Sequence, residues 1–144
     1  MTTSVDTNIF IALWDREPNI SETAQAALDA AGEKGGLMVS APVFAELMAA
    51  PGRTETFLNR FFEDTGIAID FDLEDDIWRL AGRSFQAYAG RRRKQGDSGP
   101  RRILADFLIG AHATHRRYQL LTSDDSIYRA AFPALAISRV VYSH

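Results

Sequence analysis

The fold is decided by a junction near the start of the chain, which reads Ser4-Val5-Asp6-Thr7-Asn8-Ile9. Its first three residues predict a short strand that ends at an acid. Thr7 and Asn8 then offer side chains that cap a helix running on through Leu13. A strand therefore meets a helix at Asp6, which is the basic unit of an α/β protein.

The alternation of strands and helices continues to the end of the chain. Further strands are predicted at 37–39, 67–69, 120–122 and 136–140. Helices are predicted at 21–31, 42–49, 54–63, 103–117 and 126–131, with one long helix that Asp72 caps and a basic loop over 91–102. Strands that alternate with helices imply a mostly parallel sheet covered on both faces. We therefore predict an α/β fold and a single domain over residues 1–144.

Composition narrows the class of protein. The chain has 144 residues, of which 46% are hydrophobic, and it has no cysteine, which excludes disulfides, thiolate zinc sites and cysteine nucleophiles. Apolar runs such as residues 9–14 are far too short to cross a bilayer, and no secretory signal is visible. We expect a soluble, cytoplasmic protein with no membrane partner.

Positive charge is concentrated in one part of a mildly acidic chain. The net charge is −3, yet eight of the sixteen Lys and Arg residues lie between positions 91 and 117: Arg91, Arg92, Arg93, Lys94, Arg101, Arg102, Arg116 and Arg117. Such a cluster attracts polyanions. The alternative interpretation of 91–102 is a solvated loop without a binding role.

Four acids are predicted to meet at one edge of the sheet. Asp6 ends the first strand, and Glu46 lies one turn into the helix after the second. Asp106 starts the helix that precedes the fourth strand, and Asp124 follows that strand. Functional groups of open parallel sheets gather beyond the carboxyl ends of the strands. These acids are therefore the candidate catalytic residues.

The surroundings of two of these acids point to a bound cation. Glu46 stands in Val-Phe-Ala-Glu-Leu-Met-Ala and Asp106 in Ile-Leu-Ala-Asp-Phe-Leu-Ile, so we expect both to be shielded from bulk solvent. Buried carboxylates need a partner, and four together repel one another unless a cation is present. Oxygen ligands favour Mg²⁺ or Mn²⁺, so Asp6, Glu46, Asp106 and Asp124 are also the candidate metal ligands.

Structural roles remain open for three of the four acids. Asp6 and Asp106 can serve as helix caps, and Asp124 can form a turn with Asp125, which rivals it for the position facing the metal. Glu46 has no capping role in the middle of an apolar helix. It is the acid that most favours a functional interpretation.

Other polar and aromatic residues have structural as well as functional interpretations. Thr7, Asn8 and Thr122 can donate hydrogen bonds to a carboxylate or to a substrate phosphate, or can cap and close turns. His112 and His115 are three apart on one helix but lack a third zinc ligand nearby. The two tryptophans, at positions 14 and 78, are predicted to lie in the core.

Four blocks of the sequence resemble a known family, the PIN-domain nucleases, and within it the VapC-like toxins of toxin–antitoxin pairs. The blocks are Val5-Asp6-Thr7-Asn8-Ile9, Val43-Phe44-Ala45-Glu46-Leu47, the nine residues from Ala105 to Ala113, and Leu121-Thr122-Ser123-Asp124. The resemblance spans essentially the whole chain. It implies a three-layer α/β/α sandwich, dependence on Mg²⁺ or Mn²⁺, cleavage of RNA, with tRNA as one possible substrate, homodimerisation and neutralisation by a cognate antitoxin.

Two functions are carried forward from the sequence. The first is a metal-dependent endoribonuclease toxin, with Asn8, Thr122, Arg101 and Arg102 assigned to substrate binding. The second is a noncatalytic module that holds nucleic acid or a partner through the basic 91–117 region, which can equally contact an antitoxin. A phosphatase ranks last, because Asp6-Thr7-Asn8 lacks the second carboxylate of an Asp-x-Asp pair.

Overall fold

The computed structural model of the chain describes residues 1–96 and 104–142. Its strands are β1 (Thr3–Val5), β2 (Leu37–Ser40), β3 (Ala68–Asp70), β4 (Gln119–Thr122) and β5 (Ile137–Arg139). Its helices are α1 (Thr7–Leu13), α2 (Pro18–Lys34), α3 (Ala41–Met48), α4 (Glu55–Thr65), α5 (Asp75–Lys94), α6 (Leu104–Arg116) and α7 (Ser126–Ala131). Within these residues every helix is too short or too polar to cross a membrane.

The five strands form one sheet in the order β3-β2-β1-β4-β5, and every neighbouring pair is parallel. Helices flank the sheet, so the predicted α/β/α architecture is confirmed. The chain first builds outward from β1 to β3, and then crosses to the other side of β1 to add β4 and β5. The crevice between β1 and β4 is therefore a topological switch point, where α/β proteins place their sites.

The core explains why the first strand and helix lie at the centre. Val5, Ile9 and Phe10 are completely buried. Phe10 packs edge-on against Phe61 and Phe62 of α4, with ring centroids 5.9 and 5.6 Å away. Aromatic pairs in this geometry contribute about 1 kcal/mol each beyond the area they bury. The packing fixes α1, and with it the end of β1, over the middle of the sheet.

Several local expectations were wrong. Thr7 and Asn8 were expected to cap α1, but Asp6 does so, in the structural role that the sequence left open for it, because its carboxylate accepts the Thr7 N–H. α5 begins after Glu74 rather than at Asp72, and it continues through the basic residues 91–94. Cations in a last helical turn are stabilised by the helix dipole, so this segment forms helix where a loop was expected.

One tryptophan also departs from expectation. Trp78 is 49% exposed, whereas Trp14 is half-buried and packs against the core. Position 78 lies on α5 next to Ile77, which is completely buried, and successive helical residues point about 100° apart. Hydrophobicity alone does not distinguish these two orientations.

Arg101 and Arg102, which were assigned to substrate binding, lie outside the described residues.

α6 approaches the end of α7 so closely that Gly110 has no room for a side chain. A Cβ atom there would lie 2.4 Å from Cε2 and 2.6 Å from Cδ2 of Phe132. Phe132 also packs on Phe107, with ring centroids 6.2 Å apart. This contact holds α7 against the first half of α6, where Asp106 lies.

We predict that Gly110→Ala destabilises the protein by about 1–3 kcal/mol, because the strain of overpacking against Phe132 outweighs the gain in helix propensity. Urea unfolding measures the change. The matched control is Gly82→Ala on α5, where a Cβ would meet nothing within 4 Å. That variant is expected to gain up to about 1 kcal/mol. Equal effects of the two substitutions would contradict the close approach.

Candidate active site

The four predicted acids line one cleft at the carboxyl ends of the central strands. The cleft has a volume of about 440 Å³ and contains Asp6, Glu46, Asp106 and Asp124. Asp6 follows β1, Glu46 lies on α3, Asp106 lies in the first turn of α6 and Asp124 follows β4. Residues more than a hundred positions apart in the sequence are thus brought together by the parallel sheet.

Asp6 is the buried centre of the cleft, with 5% of its surface exposed. Its Oδ1 accepts the Thr7 N–H at 2.8 Å, and its Oδ2 accepts the hydroxyls of Thr122 at 2.8 Å and Tyr128 at 3.0 Å. Charge-assisted hydrogen bonds of this kind offset part of the lost hydration. The carboxylate is therefore held in one orientation by donors from α1, β4 and α7.

Asn8 and Thr122 join the ends of β1 and β4 below this carboxylate. The Asn8 amide donates to Thr122 Oγ1 at 3.1 Å and accepts the Ser123 N–H, also at 3.1 Å. Thr122 Oγ1 further accepts the Asp124 N–H at 3.2 Å. Both side chains orient the acids. Their assignment to substrate binding stays a prediction, with Asn8 lining the cleft and Thr122 completely buried.

Glu46 is exposed, contrary to the expectation from its apolar neighbours. Val43 and Leu47 turn toward the core, while Ala45 and Glu46 lie on the opposite side of α3. Its Oε1 accepts the Thr7 hydroxyl at 2.6 Å, which ties it to the residue after Asp6. An apolar segment on an amphipathic helix buries its own hydrophobic residues and not the acid between them.

Asp124 and Asp125 have different contacts in the structure. Asp124 lines the cleft, and the Ser126 hydroxyl donates to its Oδ1 at 3.1 Å. Asp125 instead pairs with Arg129, one turn along α7, and Arg139 Nε lies 3.8 Å from its Oδ1. The hydrogen bond from Arg129 lowers the pKa of Asp125. Asp125 is thus engaged away from the acids.

The electrostatics of the cleft are unbalanced. Burial, followed by the charges of Asp6, Glu46 and Asp124, raises the pKa of Asp106 to about 6. Burial also raises the pKa of Asp6, although its hydrogen bonds oppose the shift. No Lys, Arg or His is among the cleft-lining side chains of the described chain. The site therefore carries negative charge that nothing in its lining neutralises.

A hard divalent cation fits this donor set in chemistry, since every ligating group is an oxygen and the excess charge is negative. Within residues 1–96 and 104–142, however, no three Asp, Glu or His side chains are already grouped to hold a metal ion. Glu46 and Asp124 are exposed, so rotation of their side chains toward Asp6 and Asp106 requires no repacking of the core.

Asp15 and Tyr128 both line the cleft without having been predicted, and Tyr128 is the one that contacts the predicted acids. Its hydroxyl lies 3.0 Å from Asp6 Oδ2 and 3.4 Å from Asp106 Oδ1, so one buried O–H bridges the two acids. Burial and the charges of Asp6 and Asp106 raise the pKa of this phenol and keep it protonated. The only signal in the sequence is its position in the short helix after Asp124, which does not reveal where the hydroxyl points.

The two histidines of α6 do not form a metal pair. His112 is completely buried and its Nε2 lies 2.8 Å from Asp70 Oδ2, while His115 Nε2 lies 3.8 Å from Glu74. Arg116 joins the same group through Glu74 at 2.8 Å. This cluster links β3 and the start of α5 to the end of α6, and it takes Arg116 out of the basic region available to a ligand.

Comparison with known proteins identifies the family of the chain. A model of the PIN domain family matches residues 4–133. The chain therefore belongs to the PIN domain family. A search of curated protein sequences finds no match.

The same fold recurs in solved structures. One is VapBC2 from Rickettsia felis bound to a DNA fragment from their promoter, at 18% identity and a TM-score of 0.71, covering 98% of this chain and 100% of that one. Another is VapBC-1 from nontypeable Haemophilus influenzae, at 20% identity and a TM-score of 0.68, covering 96% of this chain and 98% of that one. A third is a toxin-antitoxin complex from Klebsiella pneumoniae, at 20% identity and a TM-score of 0.63, covering 98% of this chain and 99% of that one.

The raised pKa of Asp106 predicts how the stability of the fold changes with pH when a chelator removes metal ions. An acid whose pKa is higher in the folded state favours folding when protonated, so stability falls as pH rises from about 4 through 6. Asp106→Asn removes this penalty. At pH 7.5 we expect the variant to be more stable by about 1 kcal/mol, allowing for solvent screening at a half-buried position, or about 3 °C in Tm.

Thermal unfolding of both proteins in EDTA at pH 7.5 and pH 4 measures the difference. The advantage of Asp106→Asn should largely disappear at pH 4, where Asp106 is protonated in the wild type. A variant that is less stable than the wild type at both pH values would contradict the charge repulsion inferred for the cleft.

Proposed function

We propose that this chain is a metal-dependent endoribonuclease that hydrolyses RNA phosphodiester bonds and acts as the toxin of a toxin–antitoxin pair in the cytoplasm. The observation that carries the proposal is the convergence of Asp6, Glu46, Asp106 and Asp124 on one cleft at the switch point of the sheet. Members of the PIN domain family are generally nucleases and typically use divalent metals.

The four acids would hold Mg²⁺ or Mn²⁺, which supplies charge neutralisation at the scissile phosphate and activates water for attack. Asp6 is the most rigid of the proposed ligands, because three donors fix its orientation. Tyr128 would contribute a hydroxyl that contacts both Asp6 and Asp106 and donates over the shorter distance to Asp6. Thr7 ties Glu46 to the same group.

The choice of RNA and the toxin role rest on resemblance. Similar folds occur in VapBC assemblies and in a toxin-antitoxin complex. By analogy we assign a cognate antitoxin and a homodimer to this chain, and RNA, with tRNA as one candidate, as its substrate. Large exposed apolar side chains support protein partners. They include Ile11, Met48, Phe71, Trp78 and Leu104.

A second candidate is the noncatalytic module that binds nucleic acid through its basic region. The last turn of α5 favours it, since Arg91, Arg93 and Lys94 are exposed there. α5 packs against α6, and Phe85 stacks on Phe107 with ring centroids 4.8 Å apart, next to Asp106. Exposed cations suit the binding of RNA phosphates by a nuclease as well as by a noncatalytic module, so this turn does not separate the two candidates.

Cleavage and metal binding separate the two candidates. We expect the wild type to cleave a pool of small structured RNAs in Mg²⁺ or Mn²⁺, and Asp106→Asn to lose at least about 100-fold in rate with its fold intact. Calorimetry with Mn²⁺ should show binding to the wild type and none to Asp106→Asn. Asp6→Asn should also be inactive.

The matched control is Asp125→Asn, which removes an adjacent carboxylate that lies outside the cleft. It should retain the rate of the wild type to within about twofold, because only surface ion pairs are lost. Wild-type protein that binds RNA but neither cleaves it nor binds Mn²⁺ would favour the noncatalytic module.

Tyr128→Phe tests the bridging hydroxyl separately from the ligands. Without it, Asp6 and Asp106 lose their shared donor, and we expect Mn²⁺ affinity to fall by about 10-fold, as when other groups that orient ligands are removed. Titration calorimetry measures the affinity, and circular dichroism checks the fold. Unchanged affinity would show that the hydroxyl has only a packing role.

A further inference from the structure

A second pocket opens directly beside the acidic cleft. It has a volume of about 380 Å³ and lies between the end of α1 and the turn that joins α3 to α4. Ile11 and Asp15 line both the pocket and the cleft, so the two adjoin at these side chains. A ligand longer than the cleft would reach this pocket first on that side.

The wall of the pocket carries a guanidinium, that of Arg53, in contact with two aromatic rings. The Arg53 Cζ lies 4.7 Å from the centre of the Trp14 ring and 5.2 Å from that of Phe57. The turn at Pro51 and Gly52, whose φ is +77°, brings Arg53 to this position. Cation–π contacts fix the side chain without neutralising it.

In the parts of the chain that the structure describes, 1–96 and 104–142, no carboxylate lies within ion-pair distance of Arg53, so its charge is available to a ligand. Ile11 on the same wall is 45% exposed, although it is a large aliphatic residue. A planar cation next to an exposed apolar surface suits a ligand that is flat, aromatic and attached to negative charge.

We propose that this pocket binds one base of single-stranded RNA next to the scissile phosphate, stacked on the guanidinium plane of Arg53. Bases of single-stranded RNA commonly stack on arginine planes and aromatic side chains. The inference rests on the proposed function, since it requires RNA phosphate in the acidic cleft. Arg53 is then a positioning residue, which sets where along the RNA the cut falls.

Charge favours RNA over a protein segment as the occupant. The cleft lining is acidic, so RNA approaching it needs cations at the rim. The pocket supplies them on this side, because Arg53 and exposed Arg16 outnumber its one carboxylate, Asp15. A more apolar groove lies elsewhere, between α3 and the start of α6, and is lined by Ala45, Leu104 and Leu108. An apolar segment of a protein partner fits that groove better than this pocket.

Abasic scanning of a cleaved RNA tests the proposal. In the wild type, removing the base at one position beside the cut should raise KM about tenfold, with kcat nearly unchanged. Arg53→Ala should raise KM by a similar factor on intact RNA. Its KM on the abasic RNA should be no higher than its KM on intact RNA. Arg53→Lys keeps the charge but not the plane, so it should also be insensitive to the missing base.

The matched control is Arg60→Ala, which removes an exposed arginine of α4 that lines neither the cleft nor the pocket. On the abasic RNA it should show the same rise in KM as the wild type. If Arg53→Ala also shows that rise, the proposal is overturned. Loss of antitoxin binding in Arg53→Ala, with unchanged RNA kinetics, would assign the pocket to a protein and overturn it as well.

A binding measurement keeps this inference separate from the proposed function. The chain has two tryptophans, so Trp78→Phe leaves Trp14 as the only reporter. In Ca²⁺, a single-stranded RNA hexamer should quench Trp14 fluorescence. Arg53→Ala should lower the affinity measured by this quenching about tenfold. Quenching without any RNA cleavage in Mg²⁺ or Mn²⁺ would support the base site while refuting the nuclease. Cleavage without quenching would overturn the base site alone.

Discussion

The buried carboxylate of Asp6 is the constraint on which the rest of the structure depends. A carboxylate removed from water is costly unless hydrogen-bond donors replace its hydration. Here those donors are the Thr7 N–H and the hydroxyls of Thr122 and Tyr128. Because they belong to α1, β4 and α7, satisfying one acid fixes the relative positions of three segments around the switch point of the sheet.

The remaining acids make this arrangement unfavourable for the isolated protein. Burial, together with the charges of three nearby carboxylates, raises the pKa of Asp106 to about 6. A core built only for stability would avoid such repulsion, and perturbed acids that cluster in a cleft are typical of functional sites. The hydrogen bonds around Asp6 and the tight packing at Gly110 hold the acids together in spite of their charge.

Much of the fold could be predicted from the sequence, because period and turn signals are local. The alternation of strands and helices and the position of each acid relative to its strand were correct to within a few residues. Two of the errors have a common cause. Glu46 was expected to be shielded because its neighbours are apolar and Trp78 because it is aromatic, but the side of a helix that faces the core is decided by the elements packed against it.

The sequence by itself determined which acids stand at strand ends and helix starts, since those positions follow from local propensity and capping. Only the tertiary structure decided that Asp124 and not Asp125 lines the cleft, that Tyr128 bridges two carboxylates, and that Arg53 lies on Trp14 beside them. Each of these depends on contacts between distant segments, which the parallel sheet and its crossovers bring together and which no local pattern encodes.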